Sequence, residues 1–182
     1  MTAGARPGDA GRDAPAGVLV IGYGNTLRRD DGVGWHAARR LAGDPRLARA
    51  RVVAEHQLAP ELAYDMSTAG LVILVDASTA TPAGTISVRQ LAAPEASGAG
   101  ASGAGPGATS HHVTPEVLLA LARELYGTAP AAVAVSVGVA DMGPGEGLSP
   151  LVAAVVPVVA DTVARLVAEH AGRVAGEAQL LA

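Results

Sequence analysis

The 182-residue sequence contains no cysteine, no phenylalanine and no lysine, and it has a single tryptophan. Without cysteine there is no disulfide bond, no thiolate metal ligand and no cysteine nucleophile. The formal net charge is −4, and all thirteen cationic residues are arginines scattered along the chain, so the sequence offers no basic patch for nucleic acid. With so few aromatic residues, the core must be packed mainly by small aliphatic side chains.

No segment is predicted to span a membrane, and none resembles a signal peptide. The apolar run 151–160 is too short for a span, contains Pro157 and is followed by Asp161. Residues 1–16 are rich in glycine, alanine, proline and charge but lack an apolar core, so we expect a disordered lead-in. These features and the lack of cysteine are compatible with a cytoplasmic protein, and we expect that location.

Short apolar runs alternate with segments of helical periodicity along most of the chain. Strands are predicted at 17–22, 51–55, 71–76, 85–89 and 131–139, and helices at 32–41, 60–67, 115–126 and 150–170. This alternation predicts a single α/β domain over residues 17–170, a three-layer sandwich with a largely parallel twisted sheet flanked by helices. The Gly/Ala/Ser/Pro-rich tract 92–109 is predicted to be a flexible loop, and 171–182 a C-terminal tail.

Acidic and histidine side chains follow several predicted strands, where parallel sheets collect their functional groups. They are Asp30 and Asp31 after the first strand, and then His56, Asp76 and Asp141.

The turn after the first strand, GYGNTLRRDDG, invites comparison with a dinucleotide-binding fingerprint. That interpretation fails because Leu27 stands where the third glycine would be needed. The carboxylates of Asp30 and Asp31 would also repel a pyrophosphate at the start of the following helix. The turn therefore predicts a different chemistry.

Several of the candidate polar residues also have a structural explanation. Asp30 and Asp31 are both favoured by the dipole at the start of a helix, and we expect one to be structural even if the other is functional. Asp76 could cap the following turn, or it could be a ligand or an acid–base group with a raised pKa. The pair His111-His112 could simply be solvated, or it could join the carboxylates in a nitrogen-and-oxygen metal site suited to nickel or zinc.

Five segments, in the right order, resemble the sequence blocks of the hydrogenase maturation proteases, the endopeptidases that trim the large subunit of nickel–iron hydrogenases. They are VLVIGYGNTLRRDDGVG at 18–34, HQLAPEL at 56–62, VILVDAS at 72–78, SHHVTPEVLLA at 110–120 and GEGLS at 145–149. The resemblance covers about residues 17 to 168.

The resemblance implies a set of site residues. Asp31, Asp76 and His111 would bind nickel, and Asp31 and Asp76 would also be the catalytic carboxylates. His111 is preferred over His112 because Val113 and Leu118 then fall where the apolar helix positions follow the histidine of the family. No other cofactor is implied.

The resemblance also implies an activity and a partner. The enzyme would remove the C-terminal extension of the nickel-loaded large-subunit precursor and would recognise the nickel that the precursor carries. A non-catalytic nickel-binding assembly factor with the same ligands is the alternative. A third possibility is a small-molecule α/β enzyme whose carboxylates bind no metal. Cleavage of a nickel-loaded precursor separates the first from the other two.

Overall fold

The computed structural model describes residues 17–94 and 113–180 of the chain. Its strands are β1 (Val18–Tyr23), β2 (Ala50–Glu55), β3 (Leu71–Ser78), β4 (Ile86–Leu91) and β5 (Ala131–Gly138). Its α-helices are α1 (Val33–Leu41), α2 (Leu62–Ser67), α3 (Pro115–Tyr126) and α4 (Pro150–Leu180). Two short 3-10 helices, Arg29–Gly32 and Pro45–Leu47, precede α1 and β2.

The five strands form one sheet in the order β2-β1-β3-β5-β4, in which only β4 runs antiparallel to its neighbour. Helices α1 and α4 contribute to the core on one face of the sheet, and α2 and α3 to the core on the other. The predicted three-layer sandwich around a largely parallel sheet is therefore confirmed.

Alternate residues of the central strands enter opposite cores. In β1, Val20 packs toward α1 and α4, whereas Leu19 and Ile21 pack toward α2 and α3. A strand covered on both faces by helices needs apolar side chains at every position, and this is why β1 and β3 read as unbroken apolar runs.

Helix α3 has the boundaries that its sequence predicts. Thr114 is the N-cap, and its hydroxyl accepts a hydrogen bond from the amide of Val117 at 3.3 Å. Pro115 occupies the first turn, and Gly127 ends the helix with φ 76°, a left-handed conformation that favours glycine. Local signals at both ends were sufficient here.

The structure corrects two other predicted boundaries. Strand β3 continues past Asp76 to Ser78 because β5 pairs with it over its whole length, so Asp76 lies within the strand and not at its end. Helix α4 continues past His170 to Leu180, where the sequence had suggested a tail. Residues 171–180 contain no proline, and most are good helix formers, which allows this extension.

Helix α4 is also long and apolar enough, by length and composition alone, to cross a membrane. Its 31 residues include an 18-residue window with a mean hydropathy of 2.0, so the apolar stretch is longer than the run 151–160. A third of that window, 33%, is buried inside the fold, and core helices of soluble proteins meet the same criterion. Val152, Val159 and Val163 of this helix are fully buried. These residues place one face of α4 in the core.

The order of the strands creates a crevice at the carboxyl ends of the central strands. The chain leaves β1 through α1 toward β2 on one side, whereas β3 lies on the other side of β1. At such a reversal the carboxyl ends of the two central strands are not covered by a connection. Functional groups are therefore expected at the ends of β1 and β3.

Candidate functional site

A cleft of about 720 Å³ opens at the carboxyl ends of β1 and β3. Asp31, Asp76 and His56, three of the polar residues predicted from strand ends, line it together. Much of the remaining wall is formed by the loop that follows β1. Val113, which precedes α3, also lines the cleft. The structure thus brings together residues from four of the five resembling sequence segments.

Asp76 is paired with a tyrosine that no sequence motif marks as a site residue. The hydroxyl of Tyr23, the last residue of β1, donates a hydrogen bond of 2.5 Å to Oδ2 of Asp76 on β3. A distance this short is typical of a hydroxyl that donates to a charged carboxylate. Gly22 pairs with Val75 in the parallel register, so the next residues along, Tyr23 and Asp76, lie side by side.

The surroundings of Asp76 shift its ionisation. Burial raises the pKa of the Asp76 carboxyl, the hydrogen bond from Tyr23 lowers it, and the negative charges of Asp31 and Glu116 raise it again. The positive charge of Arg89 opposes them, and the net pKa lies above the ordinary value for aspartate. Such a carboxylate accepts a proton more readily than an exposed one, which suits a general base.

Tyr23 remains a hydrogen-bond donor in this setting. Burial, and then the charge of Asp76, raise the pKa of the Tyr23 phenol above its ordinary value. The phenol is therefore protonated throughout the neutral range, so its hydroxyl hydrogen stays available to Asp76.

Asp31 lies in the 3-10 helix before α1, with its carboxylate at the cleft. Its Oδ2 accepts a hydrogen bond of 3.2 Å from the amide of Asn25, and the guanidinium of Arg28 lies 4.0 Å away. The side chain of Asp31 is 20% exposed, so it is held by the loop yet still open to a ligand.

Asp30 is turned away from the cleft and is structural. It is 1% exposed, and its two carboxylate oxygens accept hydrogen bonds from the Ser149 amide at 2.6 Å and the Ser149 hydroxyl at 3.0 Å. The amide of Asp141 donates a third, longer bond at 3.4 Å. The expectation that one acid of this pair is structural is met, and Asp30 is that acid.

Asp141 also proves to be structural, although its place after a strand had grouped it with the candidate site residues. Its carboxylate forms a salt bridge of 3.1 Å with Arg29, and it does not line the cleft. Arg29 has a φ of 47°, a left-handed conformation that is uncommon for any residue except glycine. The backbone of Arg29 donates a hydrogen bond of 3.0 Å to Gly145. The segment from Asp141 to Ser149 therefore supports the loop that carries Asp31.

We expect Ser149→Ala to destabilise the fold by about 2 kcal/mol. The Ser149 hydroxyl accepts a hydrogen bond from the Val152 amide at 3.4 Å as the N-cap of α4, which is worth about 1 kcal/mol. It also donates to the buried Asp30, and the loss of that bond adds a cost of similar size. The measurement is the free energy of unfolding in urea. Thr114→Ala removes only a helix cap and is the matched control, so an equal loss in both variants would contradict the role given to Asp30.

His56 occupies the rim of the cleft in a fixed orientation. Its ring stacks on Trp35 of α1, with centroids 6.2 Å apart and planes that differ by 7°. The guanidinium carbon of Arg39 lies 5.7 Å from the Trp35 ring centre. Stacking limits the rotation of an exposed imidazole, so the orientation of His56 at the cleft is restricted.

The predicted metal ligands are only partly placed by the structure. Asp31 and Asp76 share the cleft, but His111 and its alternative His112 lie outside the described residues. Across residues 17–94 and 113–180, no three histidine, aspartate or glutamate side chains are grouped so that they could hold a metal ion. Val113, which directly follows the two histidines in the chain, lines the cleft. The full ligand set remains a prediction.

Two further charged residues influence the site and were missed in the sequence. Arg89 on β4 and Glu116 in the first turn of α3 form a salt bridge of 3.3 Å, and both charges act on Asp76. Neither stands in a pattern that would single it out, because each comes near Asp76 only once β4 has joined the sheet and α3 has packed on its face.

Comparison with solved structures identifies this architecture. The hydrogenase maturating endopeptidase HybD of Escherichia coli is 23% identical with a TM-score of 0.61, over 84% of this chain and 93% of that one. The [NiFe] hydrogenase maturation protease HycI of Thermococcus kodakarensis is 18% identical with a TM-score of 0.63, over 85% and 94%. The chain has the fold of the hydrogenase maturation proteases.

A third structure with this maturation-protease fold is the hydrogenase 2 maturation peptidase of a Thaumarchaeota archaeon. It is 24% identical with a TM-score of 0.56, over 82% of this chain and 96% of that one. No protein-family model and no curated protein sequence matches the chain. At these identities the likeness establishes the maturation-protease fold, whereas the activity has to be argued from the site.

Proposed function

We propose that the protein is an endopeptidase that removes the C-terminal extension from the large-subunit precursor of a nickel–iron hydrogenase. The observation that carries the proposal is the meeting of Asp31 and Asp76 in one open cleft. These are the two carboxylates that the family resemblance selects, they come from separate sequence segments, and they meet in a fold whose solved members include proteins named as hydrogenase maturation proteases.

The metal in this proposal belongs to the substrate. Asp31 and Asp76 supply oxygen ligands and His111 a nitrogen ligand, a donor set that suits nickel. The nickel of the precursor would bind these side chains at positions that its own cysteines leave open. A precursor without nickel would lack this contact, so its extension would be spared.

Hydrolysis of the peptide bond requires a water molecule that loses a proton as it attacks the carbonyl carbon. Asp76 is suited to accept this proton because its burial raises its pKa above the ordinary value for aspartate. In this scheme the enzyme is of the aspartic type, with Asp31 and Asp76 as the catalytic carboxylates. The nickel of the substrate could also polarise the carbonyl group as a Lewis acid.

The test is a cleavage reaction with purified components. The protein is mixed with the large-subunit precursor, either loaded with nickel or free of it, and the mass of the precursor is followed. We expect loss of the C-terminal extension only from the nickel-loaded form. Nickel-dependent binding without cleavage would favour the non-catalytic assembly factor. A lack of both would remove hydrogenase maturation as the function.

We expect His111→Ala to reduce the processing rate strongly and His112→Ala to leave most of it. Adjacent residues of an extended segment point to opposite sides, so one of the two should face the carboxylates and the other should not. The two variants serve as controls for each other, and the measurement is their processing rate on the same nickel-loaded precursor. The reverse ranking would move the ligand one residue along, to His112.

A further inference from the structure

The two oxygens of the Asp76 carboxylate have different environments. Oδ2 accepts the short hydrogen bond from the Tyr23 hydroxyl. Within the described parts of the chain, 17–94 and 113–180, no donor forms a hydrogen bond to Oδ1. Because Asp76 lines the cleft, one oxygen is engaged by the protein while the other is left for a ligand.

Tyr23 is held firmly enough to impose this difference. Its backbone is the last residue of β1 and pairs with Glu55 of β2, and its ring packs against the core formed with α2 and α3. The start of α1 packs directly against the Tyr23 carbonyl group, so closely that a side chain at Gly34 would overlap the carbonyl oxygen. With its backbone held by β2 and α1 and its ring packed on the core, Tyr23 directs its hydroxyl to Oδ2 of Asp76.

We propose that Tyr23 is a positioning residue that makes Asp76 a one-oxygen ligand. The hydroxyl occupies Oδ2 and fixes the carboxylate plane, so that Oδ1 alone is presented to the nickel of the substrate. This inference rests on the proposed function. Groups that hydrogen-bond to metal ligands typically change metal affinity or activity by about 10-fold to 100-fold when they are removed.

The experiment compares the whole protein with Tyr23→Phe, which removes only the hydroxyl group. Tyr64→Phe is the matched control, because Tyr64 is 58% exposed on α2 and packs against Tyr126, away from the cleft. The probe is Ni²⁺ alone, and its affinity is measured by titration calorimetry. We expect about a 10-fold to 100-fold weaker affinity for Tyr23→Phe, an unchanged affinity for Tyr64→Phe, and similar circular dichroism spectra for all three proteins.

Infrared difference spectra give a readout that would not change if the role of Tyr23 were purely structural. With ¹³C-labelled aspartate, addition of Ni²⁺ to the wild-type protein should produce the wide separation of carboxylate stretches that one-oxygen binding gives. Subtraction of the Asp76→Asn spectrum identifies which carboxylate bands belong to Asp76. In Tyr23→Phe the separation should narrow, because the freed Oδ2 can also bind. A narrow separation in the wild-type protein would overturn the inference even if the variant failed to fold.

Failure of this inference can be told apart from failure of the proposed function. If the wild-type protein processes the precursor and Asp76→Asn does not, while Tyr23→Phe binds Ni²⁺ and processes normally, only the role of Tyr23 is refuted. If the wild-type protein neither binds Ni²⁺ nor cleaves the nickel-loaded precursor, the proposed function and this inference are refuted together.

Discussion

Asp76→Asn is expected to abolish processing of the nickel-loaded precursor, with a rate at least about a thousandfold below that of the wild-type protein. The substitution keeps the shape of the side chain and its ability to accept the Tyr23 hydrogen bond, but it removes the negative charge. Both proposed roles of Asp76, as an oxygen ligand and as a general base, require that charge. The measurement is the rate at which the C-terminal extension is lost, followed by mass spectrometry.

The same substitution should not lower the stability of the free protein. Because the pKa of Asp76 is raised in the folded state, its ionisation costs folding free energy, and stability is lost as the pH rises through the unfolded-state pKa toward the folded one. The cost is fully present once the pH exceeds the folded-state pKa, and Asp76→Asn removes it. We therefore expect a melting temperature equal to or above that of the wild-type protein. A well-folded Asp76→Asn protein that still processes the precursor would eliminate Asp76 from the site.

Gly34→Ala is expected to destabilise the fold by about 3 kcal/mol or more, or to prevent folding. A Cβ atom at Gly34 would overlap the carbonyl oxygens of both Val75 and Tyr23, which belong to the backbones of two neighbouring strands. Backbone atoms of a packed sheet cannot give way as a flexible side chain does. Helix α1 would have to move off the sheet, and the loop that carries Asp31 would move with it. The measurement is the unfolding midpoint in urea.

Gly172→Ala is the matched control for this prediction. Gly172 lies in α4, is exposed, and has no atom near the place where a Cβ would lie. Alanine is a better helix former than glycine, so Gly172→Ala should stabilise the protein by about 0.5–1 kcal/mol. Helix propensity alone would predict the same gain at Gly34, because that residue also lies in a helix. A stabilised Gly34→Ala protein would contradict the close contact between α1 and the sheet.

The elements that could be predicted are those whose signals are local. The boundaries of α3 follow from Thr114, Pro115 and Gly127, and the central strands follow from unbroken apolar runs. The start of α4 follows from Ser149 and Pro150 in the same way. Its end was misplaced because residues 171–180 carry no stop signal, and the end of β3 was misplaced because pairing with β5 extends it beyond its apolar run.

Within the candidate site, the sequence could select residues but not their directions. The acids Asp30 and Asp31 are adjacent, and both suit the start of a helix. In a 3-10 helix successive side chains are about a third of a turn apart, so one of them points toward Ser149 and the other toward the cleft. The packing of the segment that carries Ser149 decides which of the two acids is buried and which lines the cleft.

The sequence by itself determined the α/β class, the order of the strands and helices along the chain, and the short set of acids and histidines from which the site is drawn. These follow from periodicity, capping and composition, which act between near neighbours in the chain. Only the tertiary structure decided that Tyr23 meets Asp76, that Asp30 is structural, and that Asp141 binds Arg29. Each of these contacts joins residues that are far apart in sequence, and the packing of helices on the sheet sets the register that brings them together.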